Sequence, residues 1–108
     1  MEYWKIEDTP RHPELMVVTA AAHGHIDDLR LLIAAKANVN RRWKNAYPPL
    51  YFPCREGHAE VAGMLVDAGA DYNNVDNLGT AAMDLARRLG HLQVVEILQQ
   101  RIRIRESK

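Results

Sequence analysis

Apolar positions recur along this chain with a helical period. Within residues 26–34, Leu29, Leu32 and Ile33 fall at i, i+3 and i+4, the stripe of an amphipathic helix. The register returns at Val61, Leu65 and Val66, and again at Val94, Val95 and Leu98. Short segments rich in small residues, 17–22 and 83–88, lie upstream and predict a companion helix. Gly24, Gly57 and Gly90 stand between the two helices of each unit, where a left-handed residue ends the first. Beyond the second helix, 36–38 and 68–71 lead into Asn-rich loops that suit turns. The pattern predicts units of helix, tight turn, helix and long loop.

The units repeat. Gly24-His25, Gly57-His58 and Gly90-His91 are 33 residues apart, as are Leu32, Leu65 and Leu98. Ala37 matches Ala70, and Asn40 matches Asn73. One such unit cannot bury its own apolar faces, but three stacked units can. The prediction is an all-α solenoid of stacked helix-turn-helix units.

These residues carry a resemblance to the ankyrin repeat family, whose pattern is roughly D-x-x-G-x-T-P-L-H-x-A-A-x-x-G-H, an amphipathic helix, then G-A-D-V-N. The third unit keeps Asp76, Gly79, Met83-Asp84-Leu85-Ala86 and Gly90-His91. The second keeps Pro49-Leu50, Gly57-His58 and Ala68-Gly69-Ala70-Asp71. The first keeps Ala20-Ala21, Gly24-His25 and Lys36-Ala37-Asn38-Val39-Asn40. The resemblance covers about residues 13–102. It implies three repeats, at about 13–42, 43–75 and 76–108, behind a lead at 1–12. It also implies loop tips projecting to one side, a rigid concave surface, and histidines at 25, 58 and 91 that bond backbone across adjacent turns. Pro13 is expected in the first turn of the first helix, and the last helix is expected to run past Gln100.

The second repeat departs from this pattern. Where the family has its turn-opening Asp, turn Gly, Thr and His, this chain has Trp43, Ala46, Pro48 and Tyr51, and the Ala pair becomes Pro53 and Cys54. A proline inside a regular helix costs about 3 kcal/mol, so a kinked, shortened or shifted helix is expected here. Composition sharpens the point. The chain has only seven aromatics (two Trp, four Tyr and one Phe), and four of them, Trp43, Tyr47, Tyr51 and Phe52, share one ten-residue window. Exposed aromatics mark binding surfaces, with Trp and Tyr prominent among hot spots. The expected partner-binding residues are Trp43, Lys44, Tyr47, Arg55, Glu56 and His23, with Asn77 and Leu78 from the next tip. Tyr51 and Phe52 equally suit repacking of the core around a distorted helix.

Charge and cysteine count narrow the classes. Lys+Arg and Asp+Glu are 14 each, so the net charge is zero, which argues against nucleic acid or an anionic membrane as partner. The tail is locally basic, with Arg101, Arg103, Arg105 and Lys108 against Glu106, as suits a helix C-terminus. No secretory h-region or bilayer-length apolar run is visible, so an intracellular setting is expected. The single Cys54 excludes a disulfide framework, and no metal or cofactor is expected. The expected function is protein binding, the partner unknown, with self-association through the aromatic patch as a variant. A second expectation belongs to another class. Cys54 and His23 sit near one register on successive layers, and a Cys–His pair with Asp27 or Glu56 as orienter is the minimum for a thiolate nucleophile. Together with the cluster of departures, that suggests an engineered ankyrin scaffold acting as an ester hydrolase.

Overall fold

The computed structural model describes residues 13–42, 47–76 and 78–107, with the side chains of 13–15 excepted. Six α-helices occupy it: α1 Pro13–His23, α2 Ile26–Ala34, α3 Tyr51–Glu56, α4 Ala59–Asp67, α5 Ala82–Arg88 and α6 Leu92–Glu106. No strand occurs among the described residues. Helices α1, α3 and α5 pack side by side in one row, α2, α4 and α6 in a second, and each first-row helix pairs with its successor. This is the predicted solenoid.

The turns inside the units are built alike. Gly24, Gly57 and Gly90 take φ of 69°, 85° and 80°. The next amide then bonds five residues back: His25 to the Ala20 carbonyl, His58 to Pro53 and His91 to Ala86, at 2.9–3.0 Å. This closure satisfies carbonyls that the helix end leaves free. The histidine rings then tie the layers. His91 Nε2 donates to the Arg55 carbonyl at 2.9 Å. A Cβ on Gly57 would lie 2.9 Å from the His91 ring, and one on Gly24 would lie 3.2 Å from the His58 ring. Conformation favours glycine at both places, and at Gly57 the His91 ring leaves no room for a Cβ as well. His25, in the first layer, is exposed and stacks on His23 with centroids 5.6 Å apart.

The stripes form the core. Leu29, Leu32, Val61, Leu65, Val66, Val94 and Leu98 are all buried, with Val17, Ala20, Ala21, Leu50, Cys54 and Ala86 from the first row. Outside the helices, Asn40 bridges two loops, donating to the Gly69 carbonyl at 3.2 Å and accepting from the Asp71 amide at 2.7 Å.

Pro53 acts as the sequence suggests, by shortening. Helix α3 has six residues, and its onset at Tyr51 comes two residues later than the period-matched onset of α5 at Ala82. Proline 53 is therefore the third residue of the helix, where no intrahelical partner awaits its missing N–H. The later start avoids the interior-proline cost. Helix α6 is the longest among the described residues, at 15 residues, and runs past Gln100 as expected.

Candidate functional site

The Pro48-Pro49-Leu50 turn delivers the aromatics to the first row. The amides of Tyr51 and Phe52 bond the carbonyls of Pro48 and Pro49 at 3.0 and 3.3 Å, a tight entry into α3. Tyr47, Tyr51 and Arg55 follow one another at intervals of four. Tyr47 and Tyr51 stack with centroids 4.0 Å apart and planes 19° apart. Phe52 meets Tyr51 edge-on at 5.3 Å. The Arg55 guanidinium lies 5.6 Å from the centre of the Tyr51 ring. Arg55 is also held by Glu56, with Nη2 at 2.7 Å and Nε at 2.8 Å from the same Oε2. The three rings are half-buried while Arg55 and Glu56 are exposed. Tyr51 also packs against the core, so the two roles expected for it meet in one side chain.

The neighbouring tip is organised by Asp76. Its Oδ1 accepts the amides of Leu78 at 2.8 Å and Thr80 at 3.0 Å. Hydrogen bonds from Thr80 hold the Asp76 carboxyl below the usual carboxylate range. Leu78 projects from this tip with 88% of its surface exposed. Trp43, Lys44 and Asn77 lie outside the described residues.

Cys54 and His23 are placed in different surroundings. Cys54 has no exposed surface and belongs to the core. Burial pushes its thiol up to about 12 from 9.0. A thiolate nucleophile needs the opposite shift and an accessible sulfur. His23 is exposed, and its Nδ1 bonds the Thr19 carbonyl at 3.0 Å, one turn back on its own helix. The expected orienters are engaged elsewhere, Asp27 with Arg30 at 3.2 Å and Glu56 with Arg55. The geometry thus gives His23 to the surface and Cys54 to the interior.

Two exposed arginines of α5 were missed by reading the departures alone. Arg88 stands one period after Arg55, and Arg87 one period after Cys54. Arg87 pairs with Asp84 at 3.3 Å. The 33-residue spacing itself was the signal that could have found them.

Residues 15–107 match the family described as "Ankyrin repeats (3 copies)". The chain belongs to the ankyrin repeat family. It is 33% identical over 103 residues to Dauer abnormal formation protein 25 of Caenorhabditis elegans, covering 93% of this chain and 26% of that protein. Over 81 residues it is 36% identical to the potassium channel KOR1 of Oryza sativa subsp. japonica, covering 75% of this chain and 9% of the channel. It is also 36% identical over 84 residues to the human Ankyrin repeat and KH domain-containing protein 1, covering 76% of this chain and 3% of that protein. The chain therefore spans a small part of the length of these relatives. Ankyrin repeats are protein–protein interaction modules. In this ankyrin domain no described helix is long and apolar enough to cross a membrane. No three His, Cys, Asp or Glu side chains gather as a metal-ligand set among the described residues.

Proposed function

We propose that the chain binds a protein partner on the first-row face, through Tyr47, Tyr51, Phe52, Arg55 and Glu56, with His23 and Leu78 at its margins. Trp43, Lys44 and Asn77 complete the surface by sequence position. The observation that carries this reading is the stacked Tyr47–Tyr51–Arg55 column, in which Tyr51 stands where the family pattern has His, and which is left half open to solvent. Stacking and the Arg55–Glu56 pair hold these side chains in place before binding, so little ordering entropy is lost on association. A rigid concave surface is the family's way of presenting such residues. Relatives as different as a channel and a KH-domain protein fit a module whose partner varies with its host.

The test compares partner retention by front and back variants of the folded domain. Tyr47→Ala and Tyr51→Ala should each weaken retention by about 2 kcal/mol, as hot-spot aromatics do. Glu60→Ala, on the second row, should leave it unchanged. Equal retention by the Tyr variants, or loss with Glu60→Ala alone, would assign binding to another face. The engineered Cys54–His23 hydrolase is the weaker reading, since the sulfur is sealed from solvent and kept protonated.

A further inference from the structure

The chain enters α3 more tightly than it enters α5. In the third repeat the Leu85 amide reaches the Ala81 carbonyl, four residues back, at 3.1 Å. Phe52 and Pro48 stand one period before Leu85 and Ala81. Here the Phe52 amide goes instead to the Pro49 carbonyl, three residues back, at 3.3 Å, and the Pro48 carbonyl takes the Tyr51 amide at 3.0 Å. The cause lies at Pro53. In a regular α-helix the amide of residue 53 would fill the Pro49 carbonyl, but proline has no N–H to give, and its ring crowds the carbonyl four residues back. Pro49 therefore accepts from Phe52, and the first turn closes in the three-residue manner. The α ladder resumes at the Cys54 amide, which bonds the Leu50 carbonyl at 3.4 Å. Pro53 is fully buried, as is Ala86 at the matching position of the third repeat.

A three-residue turn advances about 120° per residue against about 100° in an α-helix, so the three steps from Pro48 to Tyr51 differ by about 60°. Tyr51 accordingly lies differently from Asp84, its counterpart one period on. Asp84 is exposed and pairs with Arg87 along its own helix. Tyr51 is half-buried, packs against the core and stacks on Tyr47 with centroids 4.0 Å apart. Tyr47 is constrained from the other side. It precedes Pro48, which precedes Pro49, and a following proline disfavours helical backbone at each. Resting on the binding role proposed above, we infer that Pro53 is a positioning residue for the binding surface: by withholding one amide it tightens the entry into α3 and turns Tyr51 onto Tyr47. It acts from the core, through the two tyrosines, and holds their rings together before any partner arrives.

Pro53→Ala in the whole chain tests this, because it restores the missing amide with the residue found at the matching position 86. The readout is the ring-current shift that Tyr47 exerts on the Tyr51 ring protons, measured by NMR as the change on Tyr47→Leu. In the Pro53→Ala background that shift should fall by about half or more, as the rings leave their stacked geometry. The amide of residue 53, now bonded to the Pro49 carbonyl, should exchange at least about tenfold more slowly than an open amide. Partner retention should fall about fivefold while the urea midpoint stays level or rises, a split that a merely structural proline would not give. Pro53→Gly supplies the same amide and should move the ring shift alike. An unchanged ring shift in both variants, an unprotected amide at residue 53, or retention lost only in step with stability would each overturn the role of Pro53. If that happens while Tyr47→Ala and Tyr51→Ala still weaken retention, the binding face stands and only the positioning role falls. If the ring shift falls as expected but neither Tyr variant affects retention, the binding reading falls and takes the function of Pro53 with it.

Discussion

Burial of the Cys54 thiol does two things that the sequence could not separate from reactivity. It keeps the sulfur protonated, with a pKa pushed up to about 12 from 9.0, and it fills volume in the core that also holds Leu50 and Ala21. The raised value makes stability depend on pH in one direction. The unfolded thiol ionises above 9.0 and the folded one only near 12, so the stabilisation is fully present below 9.0 and lost as pH rises through that window. Cys54→Ala should abolish this alkaline loss in urea melts compared at neutral pH and at high pH. At neutral pH it should cost only about 1 kcal/mol, the value of a small buried group, because Ala21 fills the matching position one repeat earlier. Labelling with a thiol reagent should proceed at the rate of opening of the fold. Labelling of the native protein as fast as a free thiol would return Cys54 to the list of reactive groups.

At the scale of helices and turns, the repeated glycines divide into two kinds. Gly57 and Gly90 share a left-handed φ, 85° and 80°. A Cβ on Gly57 would lie 2.9 Å from the His91 ring, whereas one on Gly90 meets nothing within 4 Å. Gly90→Ala therefore bears the conformational cost alone, about 1 kcal/mol. Gly57→Ala adds displacement of a ring that is hydrogen-bonded to the Arg55 carbonyl, and should cost about 2 kcal/mol or more. Chemical denaturation of the two variants checks this, and equal losses would mean that the His91 seat contributes nothing. The helices themselves were legible: the stripe at 26–34 is α2 to the residue, because a face with Leu29, Leu32 and Ile33 has one way to be buried. The proline was legible as a disturbance, since any helix must accommodate its missing N–H. The accommodation chosen, a later onset at Tyr51, depends on the Pro48-Pro49 turn before it. The candidate site was legible in part. The aromatic cluster pointed to Tyr47 and Arg55 and left Tyr51 between surface and core, but burial decided between Cys54 and His23, and burial is set by neighbouring layers.

In the whole molecule, each layer touches only its neighbours, so the ends of the stack need contacts of their own. The long α6 supplies them at one end. Arg105 Nη1 donates to the Val66 carbonyl at 3.1 Å and the Ala70 carbonyl at 2.6 Å, closing the end of α4. Its guanidinium lies 4.9 Å from the centre of the Tyr72 ring, and the Tyr72 hydroxyl donates to Glu106. Arg101 reaches Asp67 at 3.3 Å. Sequence alone suggested only that basic residues suit a helix C-terminus, and part of that charge in fact caps a different helix, more than 30 residues away, in a contact that no period reveals. Arg105→Met keeps the apolar stem and removes both bonds, leaving the Val66 carbonyl with the Gly69 amide alone. It should cost about 2 kcal/mol, the scale of hydrogen bonds from a charged donor. Because the coupling is between neighbouring layers, native-state hydrogen exchange should show lost protection in the amides of α4 and α6, with those of α1 and α2 unchanged. Uniform loss across all six helices would mean that the stack unfolds as one unit, and that the contacts of Arg105 stabilise the whole chain rather than its last two layers.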